Sequence, residues 1–541
     1  MNRFMFQESP ELSELSLKSL FSRRSSSRSS RSPGGFARFA AALALGFGLF
    51  AGYPTGGAAD PGGLRAEPGT IPLDLSIRKS VVLVRITPIF YNYAIPWVKQ
   101  PGQSYTVVGL VMPGKKILVL ANDIRNAALL EVTRYSSYER SLAKVDLIDI
   151  EANLALLSVG DDTFFDNLLP LPAGRDPVPG GSVTAVKIDQ VFRVYREKLQ
   201  IKEVNASADF GFTHLPVTVF RSSEPFQNGG ILLCQVRYVC GFIGYSDQEK
   251  RTESIPPSTF AVFRKRAQSG DYSGFVSQGY VLDELVDPVQ REYYRLPKSI
   301  RGALVSRVIP GTSAFGVLKP EDVLLSMDGV AVDDLGFYED PQFGRQHALL
   351  LGNRSPGGIR KPGDVVRLKV FRDGEEQSLQ MPLRSYSGRA ERIPWLVPGE
   401  PDYLVENGLL FLEMSVPLVR QLYGKAWERN AIELAQIYQE KRFYENPGDD
   451  RVVLLAGALP DPVTRGYEDL RGAPVESLNG EPVHNLKQMR ETILELKNAG
   501  ETIVELRLSG GQPVYLNIKD REAINRRVNA RYQIPASSSW D

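Results

Sequence analysis

Ser223-Glu224-Pro225-Phe226-Gln227-Asn228-Gly229-Gly230-Ile231-Leu232-Leu233 is the stretch on which the fold turns. Two glycines free the backbone for a tight turn, and the apolar run behind them enters a strand. Residues 231–235 and 239–245 read as two strands joined by a turn at Val236-Arg237-Tyr238, which brings Cys234 and Cys240 together across a hairpin. Asn228, ahead of the glycines, carries an amide. It has no oxygen that can lose a proton, so it cannot form an acyl-enzyme. The neighbouring hydroxyls, Ser222 and Ser223, stay weak nucleophiles without a base. The chain holds three histidines, His214, His347 and His484, and none precedes residue 214.

Composition sets the frame around this turn. The 541 residues are 43% hydrophobic and 23% charged, an ordinary globular balance that can build three to four cores. A net charge of +1 gives no basic or acidic field, so nucleic acid is not an expected partner. Glycine and proline are frequent, and short Val/Ile/Leu/Tyr runs recur at close spacing. In the first 270 residues these include 80–86, 106–111, 116–121, 182–188 and 217–220, a pattern that suits a barrel or sandwich. The spacing of the two cysteines matches no zinc motif, and no metal or cofactor is expected. A disulfide between them requires an oxidising compartment.

These pieces resemble the trypsin-like domain of the Deg/HtrA proteases. In that family a Gly-Asn-Ser-Gly-Gly run precedes an apolar strand; here Phe226 stands for the first glycine and Asn228 for the nucleophile. The family's histidine closes a Leu-Thr-Asn-Ala-His strand; here Val119-Leu120-Ala121-Asn122-Asp123 places Asp123 there. Its aspartate opens Asp-Leu-Ala-Leu-Leu; here the run is Asn153-Leu154-Ala155-Leu156-Leu157. The resemblance implies that Asp123, Asn153 and Asn228 are relic positions of a triad, all replaced.

Two later units resemble PDZ domains. The first carries Gly302-Ala303-Leu304-Val305, Pro310-Gly311-Thr312-Ser313-Ala314, Glu321-Asp322-Val323 and Asp328-Gly329 in the order of an HtrA-type PDZ, then a strand at 365–371. The resemblance implies a carboxylate-binding loop at Ser277-Gln278-Gly279-Tyr280, a receiving strand opening at Val281-Leu282, and a groove helix with Phe343, His347 and Leu351 on one side. In the second unit Gly408-Leu409-Leu410-Phe411 resembles such a loop entering a strand. There the residues 452–456, 466–470 and 475–480 resemble the second PDZ of plant-type Deg proteases, and Leu486, Met489, Ile493 and Leu496 are spaced as a helix stripe.

The expected architecture is mainly β: a degenerate trypsin-like double β-barrel at 71–266, then two PDZ domains (β-sandwiches with helices) at 270–390 and 395–541, the second with a helical insertion at 417–445. Residues 1–59 read as a signal peptide or signal anchor, with Arg23, Arg24, Arg28, Arg31 and Arg38 ahead of an apolar run, and 60–70 as a linker. Membrane association is expected only if that segment stays uncleaved. The sequence thus points to an exported, periplasmic or extracytoplasmic pseudoprotease. It would oligomerise with itself and bind protein C-termini as a scaffold in envelope quality control. The alternative is an active trypsin-like serine endopeptidase of the same family.

Overall fold

The computed structural model describes residues 72–541, except 138, 208–212, 248, 356, 387–390, 398 and 444–449. The signal segment 1–59 and the linker 60–70 lie outside the described residues. From Leu73 to Asp541 the chain forms one unit.

A helix, Leu73–Ser80, precedes the first sheet, so the strand expected from Ser80 begins one residue later. That sheet contains β1 (Val81–Tyr91), β2 (Lys99–Pro101), β3 (Tyr105–Met112), β4 (Lys116–Val119), β5 (Ala127–Arg134), β6 (Ser141–Asp149) and β7 (Leu154–Val159). Its order is β2-β1-β3-β4-β7-β6-β5, and β5 pairs again with β1, closing a six-stranded barrel with β2 outside the ring. The near-continuous apolar run of β1 follows from closure. Val82, Val84 and Ile86 point into the barrel with Val107, Ile117, Val132 and Leu157. Val81 and Leu83 point the other way, into a layer shared with the second sheet. Each such side chain contributes about 1.5–3 kcal/mol on burial.

The second sheet has β8 (Ser182–Ile188), β9 (Val194–Gln200), β10 (Glu203–Ala206), β11 (Pro216–Arg221), β12 (Gly230–Cys234), β13 (Tyr238–Ser246) and β14 (Arg251–Ile255), ordered β10-β11-β14-β13-β12-β8-β9. It meets the first barrel through Val186, Ile188, Ile231, Leu233, Phe242 and Ile255, with Phe260 and Phe263 of the helix Pro257–Gln268 sealing one side. The hairpin β12–β13 carries a Cys234–Cys240 disulfide with Cα atoms 5.8 Å apart. Its turn needs positive φ at Gln235 and Val236.

A third sheet is built from β15 (Tyr280–Asp283), β16 (Ala303–Val308), β17 (Val323–Met327) and β18 (Val330–Ala331). Two small hairpins follow, β19 (Phe337–Asp340) with β20 (Gly344–His347) and β21 (Arg354–Ser355) with β22 (Gly358–Ile359), before β23 (Val365–Arg372) and β24 (Glu375–Pro382). The main path is β15-β16-β17-β23-β24, with β15 at an edge.

One expectation fails here. Phe343, His347 and Leu351 do not share a helix; they fall in the β19–β20 hairpin and beside a single 3-10 turn, Ala348–Leu350. The Asp340 carboxylate accepts the N–H groups of Gln342 and Phe343 and closes the hairpin turn. Gly344 at φ +72° completes that turn, so a helix cannot run through it.

The fourth sheet holds β25 (Tyr403–Glu406), β26 (Leu409–Glu413), β27 (Val453–Ala458), β28 (Ala473–Leu478), β29 (Glu481–Pro482), β30 (Ile503–Leu508) and β31 (Pro513–Asn517), with the path β25-β26-β27-β28-β30-β31. Between β26 and β27 run the helices Val416–Tyr423, Trp427–Asn430 and Ile432–Lys441, where a helical insertion was expected. Leu486, Met489 and Ile493 of the helix Leu486–Asn498 are buried in the sheet core, and Leu496 packs at its margin.

Candidate functional site

Two turns of the first barrel, at Asp123 and Asn153, are bonded to each other, and the Asn228 turn of the second sheet is bonded to β3. β4 ends in the buried run Leu118-Val119-Leu120, and the chain then makes a single helical turn, Ala121–Ile124, that carries Asp123. Between β6 and β7, Asp149 accepts the N–H of Ala152 at 2.9 Å and folds the turn that leads to Asn153 at φ +52°. The Asn153 Oδ1 accepts the N–H of Asn122 at 3.0 Å, which fastens the Asp123 turn to the Asn153 turn. Asn228 is joined to this pair through β3: its carbonyl accepts the N–H of Val108 at 2.9 Å, and Tyr105, three residues earlier, donates its hydroxyl to the Asp123 carbonyl at 2.5 Å. The side chains of Asp123 and Asn153 are thus brought to neighbouring turns, while Asn228 is held by its main chain.

Burial pushes the Asp123 carboxyl up to about 7. Asn228 offers an amide only. Phe226 turns inward, 8% exposed, edge-on to Phe220 at 6.4 Å within the core of the second sheet. A Cβ on Gly230 would meet the Phe226 ring at 3.0 Å and the Val186 carbonyl at 2.5 Å, so the glycine there is a packing requirement.

The loop's hydroxyls are committed elsewhere. Ser222 donates to the Glu224 carbonyl at 2.8 Å, and Ser223 to Glu197 at 2.9 Å. The histidines are committed too. His214 Nδ1 lies 3.2 Å from the Ser207 carbonyl, and burial pushes this imidazole down to about 4. His347 Nδ1 accepts the N–H of Leu349, and burial lowers its pKa as well. His484 pairs with Asp450 at 2.8 Å. A small cavity of about 30 Å³ lies beneath Asn153, lined by Glu151, Leu215, Ser254 and Thr259 among others.

The expected peptide sites look different from their sequence reading. Residues 275–280 are all buried. Gln278, 0% exposed, donates to the Leu349 carbonyl and accepts from the Tyr280 hydroxyl at 2.7 Å. Gly279, at φ +71°, packs so closely that a Cβ would meet Thr312 Oγ1 at 1.9 Å. Val281, by contrast, is 41% exposed on the edge strand β15, and Leu282 packs partly into the core. Gly408 sits with Asn407 in the two-residue turn between β25 and β26, both at positive φ. Leu409 and Leu410 lie inside the sheet, with β25 on one side and β27 on the other. The turn at Asn407-Gly408 leads straight into β26, so the strand that this run was expected to enter begins at Leu409, and Asn-Gly is the turn that two paired strands favour.

Sequence reasoning missed the Asn122–Asn153 bond, although two asparagines beside strand ends are a usable signal for such a tie. It also missed the inward turn of Phe226. An aromatic in a glycine-rich loop could have signalled that.

A family model described as "PDZ domain" matches residues 396–541. The chain is 26% identical over 483 residues to "Protease Do-like 2, chloroplastic" of Arabidopsis thaliana, covering 86% of this chain and 76% of that protein. It is 24% identical over 447 residues to "Putative protease Do-like 12, mitochondrial" of the same plant, covering 78% of this chain and 79% of the relative. Among solved structures, "HtrA-type protease AlgW with decapeptide" aligns with a TM-score of 0.42 at 15% identity, over 58% of this chain and 98% of the other.

Proposed function

We propose that this chain, a relative of the Deg/HtrA-type serine proteases with a PDZ domain at its C-terminal end, is a pseudoprotease that holds protein chains without cutting them. The observation that carries the reading is the state of the three loops. On the resemblance, Asp123, Asn153 and Asn228 take the positions of a base, an orienting carboxylate and a nucleophile, and the amide of Asn228 has no oxygen that can attack a carbonyl. The relatives are named as proteases, which supports the alternative of an active serine endopeptidase. That alternative needs a serine with a base, and Ser222 and Ser223 have other partners.

The first barrel and second sheet would then serve as a frame for self-assembly, with the two C-terminal sheets as binding modules. The compartment we propose is an exported one, in keeping with the arginines and apolar run of the first 60 residues. The same Arg- and Ser-rich segment also fits organelle import, and the two relatives' names place them in chloroplast and mitochondrion. The test is to incubate the purified chain with unfolded β-casein. Retention of intact casein supports the reading; progressive cleavage that follows the protein through gel filtration refutes it.

A further inference from the structure

The edge of the fourth sheet is not bare. β25 pairs with β26 on one side, and on the other it meets the last residues of the sequence. Leu404 and Ser538 form an antiparallel bridge. Val405 N–H donates to the Ser537 carbonyl at 2.7 Å, and Ser539 N–H donates to the Tyr403 carbonyl at 3.2 Å. Val405 and Tyr403 are two residues apart, so both bonds lie on the same outer edge of the strand. The Tyr403 N–H donates to Ser539 Oγ at 3.2 Å, and the Tyr403 hydroxyl to the Ala536 carbonyl at 3.2 Å.

The other wall is the helix Leu486–Asn498. Its Arg490 donates from one guanidinium nitrogen to Ser538 Oγ at 3.0 Å and to the Asp541 carboxylate at 2.5 Å. Lys487, one turn earlier on the same side, lies 6.0 Å from the centre of the Trp540 ring, which packs against the core of this sheet. Ser538, between strand and helix, is 1% exposed. Residues 537–539 therefore pair with the edge of β25 through one antiparallel bridge, and the chain then turns, Asp541 N–H donating to the Ser538 carbonyl at 3.4 Å, so that the Ser538 hydroxyl and the Asp541 carboxylate both meet Arg490. Recognition of peptides by strand addition uses such edge pairing.

We propose that this strand-and-helix groove is a peptide-acceptor site, and that residues 536–541 are its resident competitor. The external ligand is a protein segment that pairs briefly with β25 and then turns, with a small hydroxylated residue followed three positions later by a carboxylate, the spacing that Arg490 reads in Ser538 and Asp541. This rests on the reading of the chain as a binder of protein segments and gives that reading a site and a chemistry. An edge strand with unpaired N–H and C=O groups invites another chain, and residues 536–541 cover it. Because the resident segment is tethered, it acts at an effective concentration on the order of millimolar. A ligand of comparable intrinsic strength should gain on the order of tenfold or more when the tether is cut.

The test uses a fluorescein-labelled peptide, Ile-Pro-Ala-Ser-Ser-Ser-Trp-Asp, against the full chain and a variant ending at Pro535. The expected result is at least tenfold tighter binding by the truncated chain, and loss of most of that gain when Arg490→Ala is added. Equal binding by the two chains, or none by a truncated chain that melts as the full chain does, overturns the proposal. If truncation unfolds the protein, the full chain carrying S538G and D541A decides: peptide binding must rise above that of the unmodified chain, and no rise overturns the idea. β-casein retention separates the two levels of argument. A truncated chain that holds casein but ignores the peptide removes this site alone; a full chain that holds neither removes the broader reading.

Discussion

Asp123→Asn is the substitution that most sharply tests the electrostatics of the turn after β4. Burial raises the carboxyl from 3.8 to about 7 in the folded protein. In the unfolded chain it ionises near its ordinary value. Below about pH 4 both states are protonated and the residue has no effect on stability. As pH rises from about 4 to about 7 the unfolded state loses its proton first, so stability is lost; above about 7 the loss is complete. A difference of roughly three units at 1.36 kcal/mol each sets a ceiling of about 4 kcal/mol. Asp123 keeps partial contact with solvent, so about 2 kcal/mol is the expected value. Asparagine keeps the shape and cannot ionise. Urea unfolding of the two proteins should therefore give equal stability at pH 4 and a variant about 2 kcal/mol more stable at pH 8. A constant difference between the two proteins across that range would refute the reasoning, because it would mean that Asp123 titrates normally.

Three further outcomes follow from the packing. Removing the disulfide with paired Cys234→Ser and Cys240→Ser should cost about 2 kcal/mol, the loop-closure value for a short crosslink, measured by urea unfolding under non-reducing conditions. Gly279→Ala should lower stability by more than about 2 kcal/mol, since the methyl would strike Thr312 and the φ of +71° disfavours any side chain; thermal melting reads it. Arg521→Met should destabilise by about 3–5 kcal/mol, because Glu406 is fully buried and would lose the guanidinium 2.8 Å away; urea unfolding at pH 7 shows the loss.

The fold was legible where a pattern repeats over several residues. The β8 run 182–188 matches its strand bounds, and the stripe Leu486, Met489, Ile493 matches a helix face, because burial on one side dictates the period. The apolar run Leu154-Ala155-Leu156-Leu157 was legible as well, and it forms the buried start of β7. What could not be read is what distant contacts decide. Phe343, His347 and Leu351 have helical spacing, but the Asp340 side chain and Gly344 turn the chain back into a hairpin. Gly408-Leu409-Leu410-Phe411 reads as a loop entering a strand and does enter one, but that β25 pairs on its other side leaves no trace in a local window. The seating of Ser538 against Leu404 joins residues 134 positions apart in the chain, beyond any periodicity.

The central claim is that the three loops no longer perform acyl transfer, and active-site labelling tests it most directly. The purified chain is treated with a fluorophosphonate at pH 8 and read by intact mass, beside a heat-denatured sample. The account predicts no adduct beyond that of the denatured control. An adduct of one phosphonate per chain that disappears on changing a single serine, such as Ser222→Ala or Ser223→Ala, would contradict it.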